Sequence, residues 1–431
     1  MKKALLLSEN GNYRDYNNFG CSPHLLESFI GWLSEQKANI AELNLALYLF
    51  NNEVLLDTLI SLASVGVKVT VYSIPIEGYD NRYPRSIIEY HSGISLGNFT
   101  KYDLANKVYG RIRKEHIHNF ELRIVPHMYL RSKRVHPFSR GSMPYSLHIK
   151  SFAATMKNGD LYAGLTSSNF AVRDAQKNEA AVICQLDEPE ALSTTDFYLG
   201  LYENSISFFD FDASGDYSHF QVRMRPTPPK SRTMYVAPFY SDSASDFEAN
   251  ASSIVNRAKS RLIVCAQHIS AYNYAYEDWD KSPAQIRKPG FLSAVIERAN
   301  SGITTSFLSQ TYVDSLGTHN CRSPENKGAF IGFVDAAKKA KCSYYVNEDT
   351  HSKFIVSDNH VILTTCNFTP TQFIYIPRVE IEQFERMPDL SYSGIHCEIG
   401  AYFVVSSSGF ADQVSEEFNK MIQLPRTQRM F

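Results

Sequence analysis

Two stretches of this 431-residue sequence repeat one pattern, and that repetition narrows the choice of fold more than any other feature. Val346 to Phe368 reads VNEDTHSKFIVSDNHVILTTCNF, and Ser146 to Phe170 reads SLHIKSFAATMKNGDLYAGLTSSNF. Each carries His-x-Lys, an apolar run, a polar turn, a second apolar run and a closing Asn-Phe. The turns, Ser357-Asp358-Asn359 and Lys157-Asn158-Gly159-Asp160, predict a β-hairpin in each stretch. Residues two apart on a strand share a face, so His351 projects with Lys353 and His148 with Lys150. The returning strands then bring Asn367 and Asn169 alongside. Hairpin packing does not call for a cation, an imidazole and an amide at one place, since buried Lys is rare unless paired.

The repetition extends outward from the hairpins. Leu43 to Phe50 reads as a strand, Asn51-Asn52 as a cap, and Glu53 to about Ser64 as a helix, with Val54, Leu55, Leu59, Leu62 and Ala63 at core spacing. Gly66 and a strand from Val67 to Ser73 follow. A second unit has a strand from Leu262 to Ala266, a helix from Phe291 to Ala299, Gly302, and a strand from Ile303 to Leu308. Strand, helix and strand in succession imply a parallel pair with a crossover helix. After each hairpin comes a strand opened by Glu. Glu179 leads to Ile183, and Glu398 leads to Val405 after a longer insertion, Thr369 to Cys397. Between the halves, Arg225-Pro226-Thr227-Pro228-Pro229-Lys230 cannot be helical and reads as an extended connector. The expected fold is α/β with two similar lobes, each a mixed β-sheet flanked by helices. Residues 1–224 form the first lobe, 225–233 the linker and 234–431 the second lobe.

His351-x-Lys353-x-x-x-x-Asp358 resembles the HKD motif of the phospholipase D superfamily, whose members carry two such motifs and join two similar lobes around one active site. The resemblance covers most of the chain, with two departures. The family's first motif would place Asp at Thr155, whereas the acid here arrives at Asp160. The family's Gly-Ser-x-Asn is replaced by Thr166-Ser167-Ser168-Asn169 and Thr364-Thr365-Cys366-Asn367, which keep a hydroxyl, Ser167 or Thr365, two residues before Asn. The resemblance implies catalytic roles for His148, Lys150, Asn169, His351, Lys353 and Asn367, and structural support from Asp160, Asp358, Ser167 and Thr365. It also makes Glu179 and Glu398 candidates for orienting His148 and His351. It implies no metal and no cofactor: one imidazole attacks phosphorus, the other protonates the leaving oxygen, and the Lys-Asn pairs hold the oxyanion. Family habit makes His148 the nucleophile and His351 the acid, and the residues themselves leave the reverse open.

The formal net charge of −2 hides an asymmetry. Lys107 to Lys150 contains ten basic residues against Glu115 and Glu121, whereas Leu186 to Asp216 holds eight acids and no Lys or Arg. Within the basic stretch Arg111, Arg113, Lys114, Arg131, Lys133 and Arg134 are candidates for holding a polyanion. A solvated face with scattered charge is the other reading. Seven scattered cysteines without a Cys-x-x-Cys pair read as reduced thiols, and His116-Ile-His118 as solvated histidines rather than a metal site. The apolar run Ala4 to Leu7 is shorter than the roughly 7–15 residues of a signal peptide's core, and no stretch approaches the roughly 18 of a spanning helix. The expectation is a cytoplasmic, metal-independent phosphodiesterase, and among such enzymes a nuclease, with a restriction or defence system as one setting and DNA favoured over RNA. A helicase or other protein partner and further oligomerisation stay open. The alternatives are a cytosolic phospholipase D or phosphatidyl transferase, and a nucleic-acid-binding module with a decayed site.

Overall fold

The computed structural model describes residues 3–8, 24–74, 99–125, 147–170, 177–210, 223–237, 239–240, 243–269, 290–310, 333–368 and 399–431. Their strands form two eight-stranded sheets. Across the first lie β1 (Lys3–Ser8), β7 (Ala180–Gln185), β6 (Leu161–Thr166), β5 (Lys150–Met156), β2 (Ile40–Leu47), β3 (Lys68–Ser73), β4 (Phe120–Ile124) and β8 (Ile206–Ser207). Across the second lie β9 (Thr233–Val236), β15 (Gly400–Ser406), β14 (His360–Thr364), β13 (Phe354–Ser357), β10 (Arg261–Ala266), β11 (Thr304–Ser309), β12 (Ser343–Val346) and β16 (Gln428–Arg429). The second order is the first with eight added to every label. In each sheet three strands run parallel and the motif hairpin joins antiparallel to the first of them.

The helices repeat too. In the first lobe α1 (His24–Gln36) precedes β2, α2 (Glu53–Ser64) and α3 (Phe99–Glu115) cross to β3 and β4, and α4 (Glu188–Glu203) follows β7. In the second, α5 (Ser243–Asn256), α6 (Gly290–Asn300), a short helix at 333–339 and α7 (Ser408–Ile422) take the same four places. Asn52 caps α2 by accepting from the N–H groups of Val54 and Leu55. Gly66 and Gly302, both with φ above +90°, turn the chain from α2 and α6 into the next strand, a conformation that Cβ disfavours.

Some boundaries differ from the sequence reading. β2 begins at Ile40 and ends at Leu47, while Leu49 and Phe50 are apolar because they are buried beyond the ladder's end. Val54 is 45% exposed, off the face of α2 that buries Leu55, Leu59 and Leu62. His351-Ser352-Lys353 precedes β13 rather than lying in it. The expected loops from Tyr274 to Lys288 and from Tyr312 to Lys327 lie outside the described residues.

The lobes pack through β15 against β5 and β6, and through β14 against β6. Helix α4 reaches from the first sheet onto β9. Phe197 stacks on Tyr235 with ring centroids 4.1 Å apart, Tyr235 donates to Thr194 Oγ1 at 3.1 Å, and Ser193 donates to the Thr233 carbonyl at 3.0 Å. Helix α7 returns from the second sheet to β1. A single apolar core runs through both lobes.

Lys150 stands opposite Leu47, the last residue of β2, so the first motif sits at the carboxyl end of the parallel strands. The second does likewise, with Phe354 opposite Cys265 near the end of β10. The connections 75–98, 126–146, 270–289 and 311–332 all depart from these same strand ends, where open α/β sheets place their ligands. Among the described residues no helix is long and apolar enough to cross a membrane.

Candidate active site

The hairpins set both motifs at equivalent places. In the first, Lys150 opens β5 and Ser167 closes the return strand, with Ser167 N–H donating to the Ala180 carbonyl and Ala180 N–H donating to Ser167 Oγ, both at 2.9 Å. In the second, Thr365 makes the same exchange with Ala401 at 2.9 and 3.0 Å. The hydroxyl two residues before Asn therefore stitches the return strand to its neighbour. Each motif lysine is buried, and its Nζ donates to the carbonyl of its own histidine at 2.6 Å: Lys150 to His148, Lys353 to His351.

Both motifs converge on Glu179. This carboxylate is buried at the start of β7, with Oε1 2.5 Å from His351 Nδ1 and Oε2 accepting from the Ser167 hydroxyl. It lies within electrostatic reach of Lys353 and Lys150. Burial pushes its carboxyl up to about 7, against the pull of Lys353, Ser167, Lys150 and Lys177. A carboxylate on Nδ1 fixes the imidazole's orientation and leaves Nε2 as the nitrogen available for chemistry. Glu179, from the first lobe, thus serves the histidine of the second, so the orienting contact crosses between lobes.

Glu398 lies outside the described residues. The register places a different residue opposite the return strand. Thr166 faces Ala181 and Thr364 faces Tyr402, which makes Gly400 the ladder equivalent of Glu179, two residues beyond Glu398. A Cβ on Gly400 would come within 2.1 Å of Cys366 Sγ, so Cys366 occupies the space a side chain there would need.

His148 is half-buried, its ring 5.9 Å from that of Tyr48, which also lies 5.9 Å from Lys150 Nζ. Asn367 Oδ1 accepts from His268 N–H at 3.3 Å, which leaves the amide nitrogen as the end that can donate. Asn169 is followed by Phe170 in the left-handed region (φ +54°), whose carbonyl accepts from Asn52 Nδ2 at 2.8 Å. Strained backbone of this kind clusters at functional sites. The Asn that caps α2 thereby also holds the end of the first motif.

The two acids behave differently. Asp358 accepts from the N–H groups of Lys259, Ser260 and Arg261 and from the Ser260 hydroxyl, pinning the hairpin tip to the start of β10. Burial opposes its ionisation, but those bonds together draw the carboxyl down to about 2. Asp160 bonds Asn158 within its own longer turn.

The basic stretch divides. Arg111 pairs with Asp57 at 2.9 Å and with Glu115 at 3.0 Å, and Arg113 lies over the Phe208 ring. With exposed Lys114 they form the last turn of α3, which leads to the amino end of β4. Phe120 is level with Val69 and Leu43, four residues before Leu47, so this turn stands at the end of the sheet away from Lys150. These three candidates are not brought to the motifs, because a crossover helix returns its chain to the far edge. Arg131, Lys133 and Arg134 lie outside the described residues. Arg123 is buried, bonding Ser205 and Glu121.

Sequence reading missed Asn178, Ser352, Tyr48 and His268. Tyr48 and His268 follow the first parallel strand of each lobe, and Asn178 precedes Glu179, so position next to a recognised element was the available signal. No cluster of metal-ligating side chains occurs among the described residues.

No family model matches the sequence, and no curated protein matches it. Solved structures do. Phosphatidylserine synthase of Haemophilus influenzae superimposes with a TM-score of 0.50 at 11% identity, over 99% of this chain and 87% of that one. Polyphosphate kinase of Porphyromonas gingivalis gives 0.50 at 11% identity, over 99% of this chain and 48% of that one. This chain spans about half the length of that kinase.

Proposed function

We propose that this chain, whose fold is that of the phospholipase D superfamily, is a metal-independent phosphodiesterase acting on nucleic acid through a phosphohistidine. One observation carries the phosphodiesterase reading: a buried carboxylate grips His351 while lying in reach of Lys150 and Lys353, so two His-Lys sets share one site. His148 attacks phosphorus through Nε2, forming a P–N bond as the P–O bond to the leaving group breaks. His351 gives its Nε2 proton to the departing oxygen. Water then attacks phosphorus, surrenders a proton to His351 and breaks the P–N bond. Lys150, Lys353, Asn169 and Asn367 neutralise the equatorial oxygens. Glu398 is kept as the candidate for orienting His148.

Nucleic acid is favoured over lipid by residues 126–146. They hold four cations (Arg131, Lys133, Arg134, Arg140) and no acid, whereas residues 369–398 hold two cations and five acids. Val125 and Leu147, which flank the basic segment, both lie at the motif end of the sheet. A chain cleaved at an internal phosphate needs cations beside the site, and a single lipid headgroup does not. We divide the lobes within 225–233, because Arg225 still bonds Asp196 and Glu203 of α4 while Thr233 opens β9. The buried thiols of Cys184, Cys265, Cys342 and Cys366 suit a reducing, cytoplasmic setting.

The test is incubation with labelled single- and double-stranded DNA and RNA, and with phosphatidylcholine vesicles, in excess EDTA. Cleavage of nucleic acid is expected, falling steeply between about 50 and 200 mM salt because binding to phosphates releases counterions, and lost in His148→Ala and His351→Ala. Vesicle cleavage indifferent to salt would replace the nuclease reading with a phospholipase, and strict metal dependence would refute the mechanism.

A further inference from the structure

Residues 177–179 of the first lobe run beside 348–352 of the second. Asn178 N–H donates to the Asp349 carbonyl at 2.6 Å, Asn178 and Thr350 form a parallel bridge, and Lys177 Nζ donates to the Glu348 carbonyl at 2.8 Å. The Asn178 carbonyl then receives three donors from the second motif: His351 N–H at 3.0 Å, Ser352 N–H at 2.7 Å and Ser352 Oγ at 2.9 Å. Ser352 is wholly buried, and the first motif has Ile149 at its place, with no hydroxyl to offer. The next residue after Asn178 is Glu179, which grips the His351 ring. Backbone and side chain of His351 are therefore both held by the other lobe, through adjacent residues.

We propose that Ser352 is a positioning residue for His351. Its hydroxyl, converging with two N–H groups on one carbonyl, sets the second motif's backbone against the first lobe, and this keeps His351 Nδ1 on Glu179. A hydrogen bond this short and charge-assisted tolerates little displacement, and a misplacement of about 1 Å far from the reacting atoms can cost on the order of 100-fold in rate. The effect of Ser352 on turnover rests on the phosphodiesterase reading above, whereas its effect on the His351–Glu179 bond does not.

The deciding experiment is proton NMR of the full chain. Wild type should show a far-downfield imidazole N–H resonance, slow to exchange with water and assigned by its loss in Glu179→Gln and His351→Ala. In Ser352→Ala that resonance should move upfield and exchange at least about tenfold faster, and turnover of bis(p-nitrophenyl) phosphate should fall by about tenfold, while Ser352→Thr keeps the resonance. Should the Ala variant not fold, Ser352→Cys, close in volume and a weaker donor, carries the same readout. A resonance unchanged in position and exchange, whatever the melting temperature does, overturns the proposal, as does its absence from wild type. If the resonance responds as stated but no phosphodiester is cleaved, the functional reading fails and the positioning role stands.

Discussion

At the scale of single residues, Glu179 ties stability to function. Its carboxyl titrates near 7 in the fold and near 4.3 when unfolded, so between those values the folded chain holds the proton more tightly. Stability should therefore fall as pH rises from about 4.3 through 7 and level off above, by an amount on the order of 3 kcal/mol. Glu179→Gln cannot ionise, and urea unfolding at pH 5 and pH 8 should show a smaller difference than in wild type. An equal difference would mean that Glu179 is not the group responsible. The same substitution should lower turnover about 10- to 100-fold, because the amide cannot stabilise an imidazolium as a carboxylate does. Wild-type turnover should rise as pH climbs through 7, where that carboxylate ionises.

At the scale of elements, the hairpins repeat in register but not in anchoring. Four donors from residues 259–261 meet Asp358 at the tip of the β13–β14 hairpin, where its own backbone adopts φ +47°. Asp358→Ala removes the charged acceptor shared by three N–H groups and a hydroxyl, and its urea midpoint should correspond to a loss of about 2–3 kcal/mol. Asp160→Ala disturbs a local turn, with an expected loss under about 1 kcal/mol. Equal losses would show that the longer first hairpin is pinned through its acid as firmly as the second. Neither variant should change turnover at a pH where both remain folded, since neither acid meets Glu179 or the motif lysines.

At the scale of the whole molecule, the lobes are joined by α4 on β9, by α7 on β1 and by the grip of Glu179 on His351. Unfolding one lobe would expose the face of the other, so calorimetry should record one transition with matching calorimetric and van't Hoff enthalpies. Phe197→Ala removes a fully buried ring stacked on Tyr235, and should cost about 3–5 kcal/mol while leaving the transition single. Two separated transitions in wild type would show the lobes to be independent.

What is local or periodic in this protein was legible in its residues. His-x-Lys and Asn-Phe framing a polar turn specify a hairpin, and Asn52, Glu53 and Gly66 specify where α2 starts and stops, because capping and turn chemistry act within a few residues. The repetition of those signals was enough for two lobes of one design, and the structure bears them out as two sheets of identical strand order. That the carboxylate of the first lobe meets the histidine of the second was visible in the tertiary structure and not before. Residues 179 and 351 are far apart in the chain, and no local pattern reports that a carboxylate on one sheet will meet an imidazole on the other. The same holds for the basic stretch, whose charges look continuous in sequence. The crossover from α3 to β4 carries Arg111, Arg113 and Lys114 to the far end of the sheet, since a chain that enters a parallel strand must first return to its amino end.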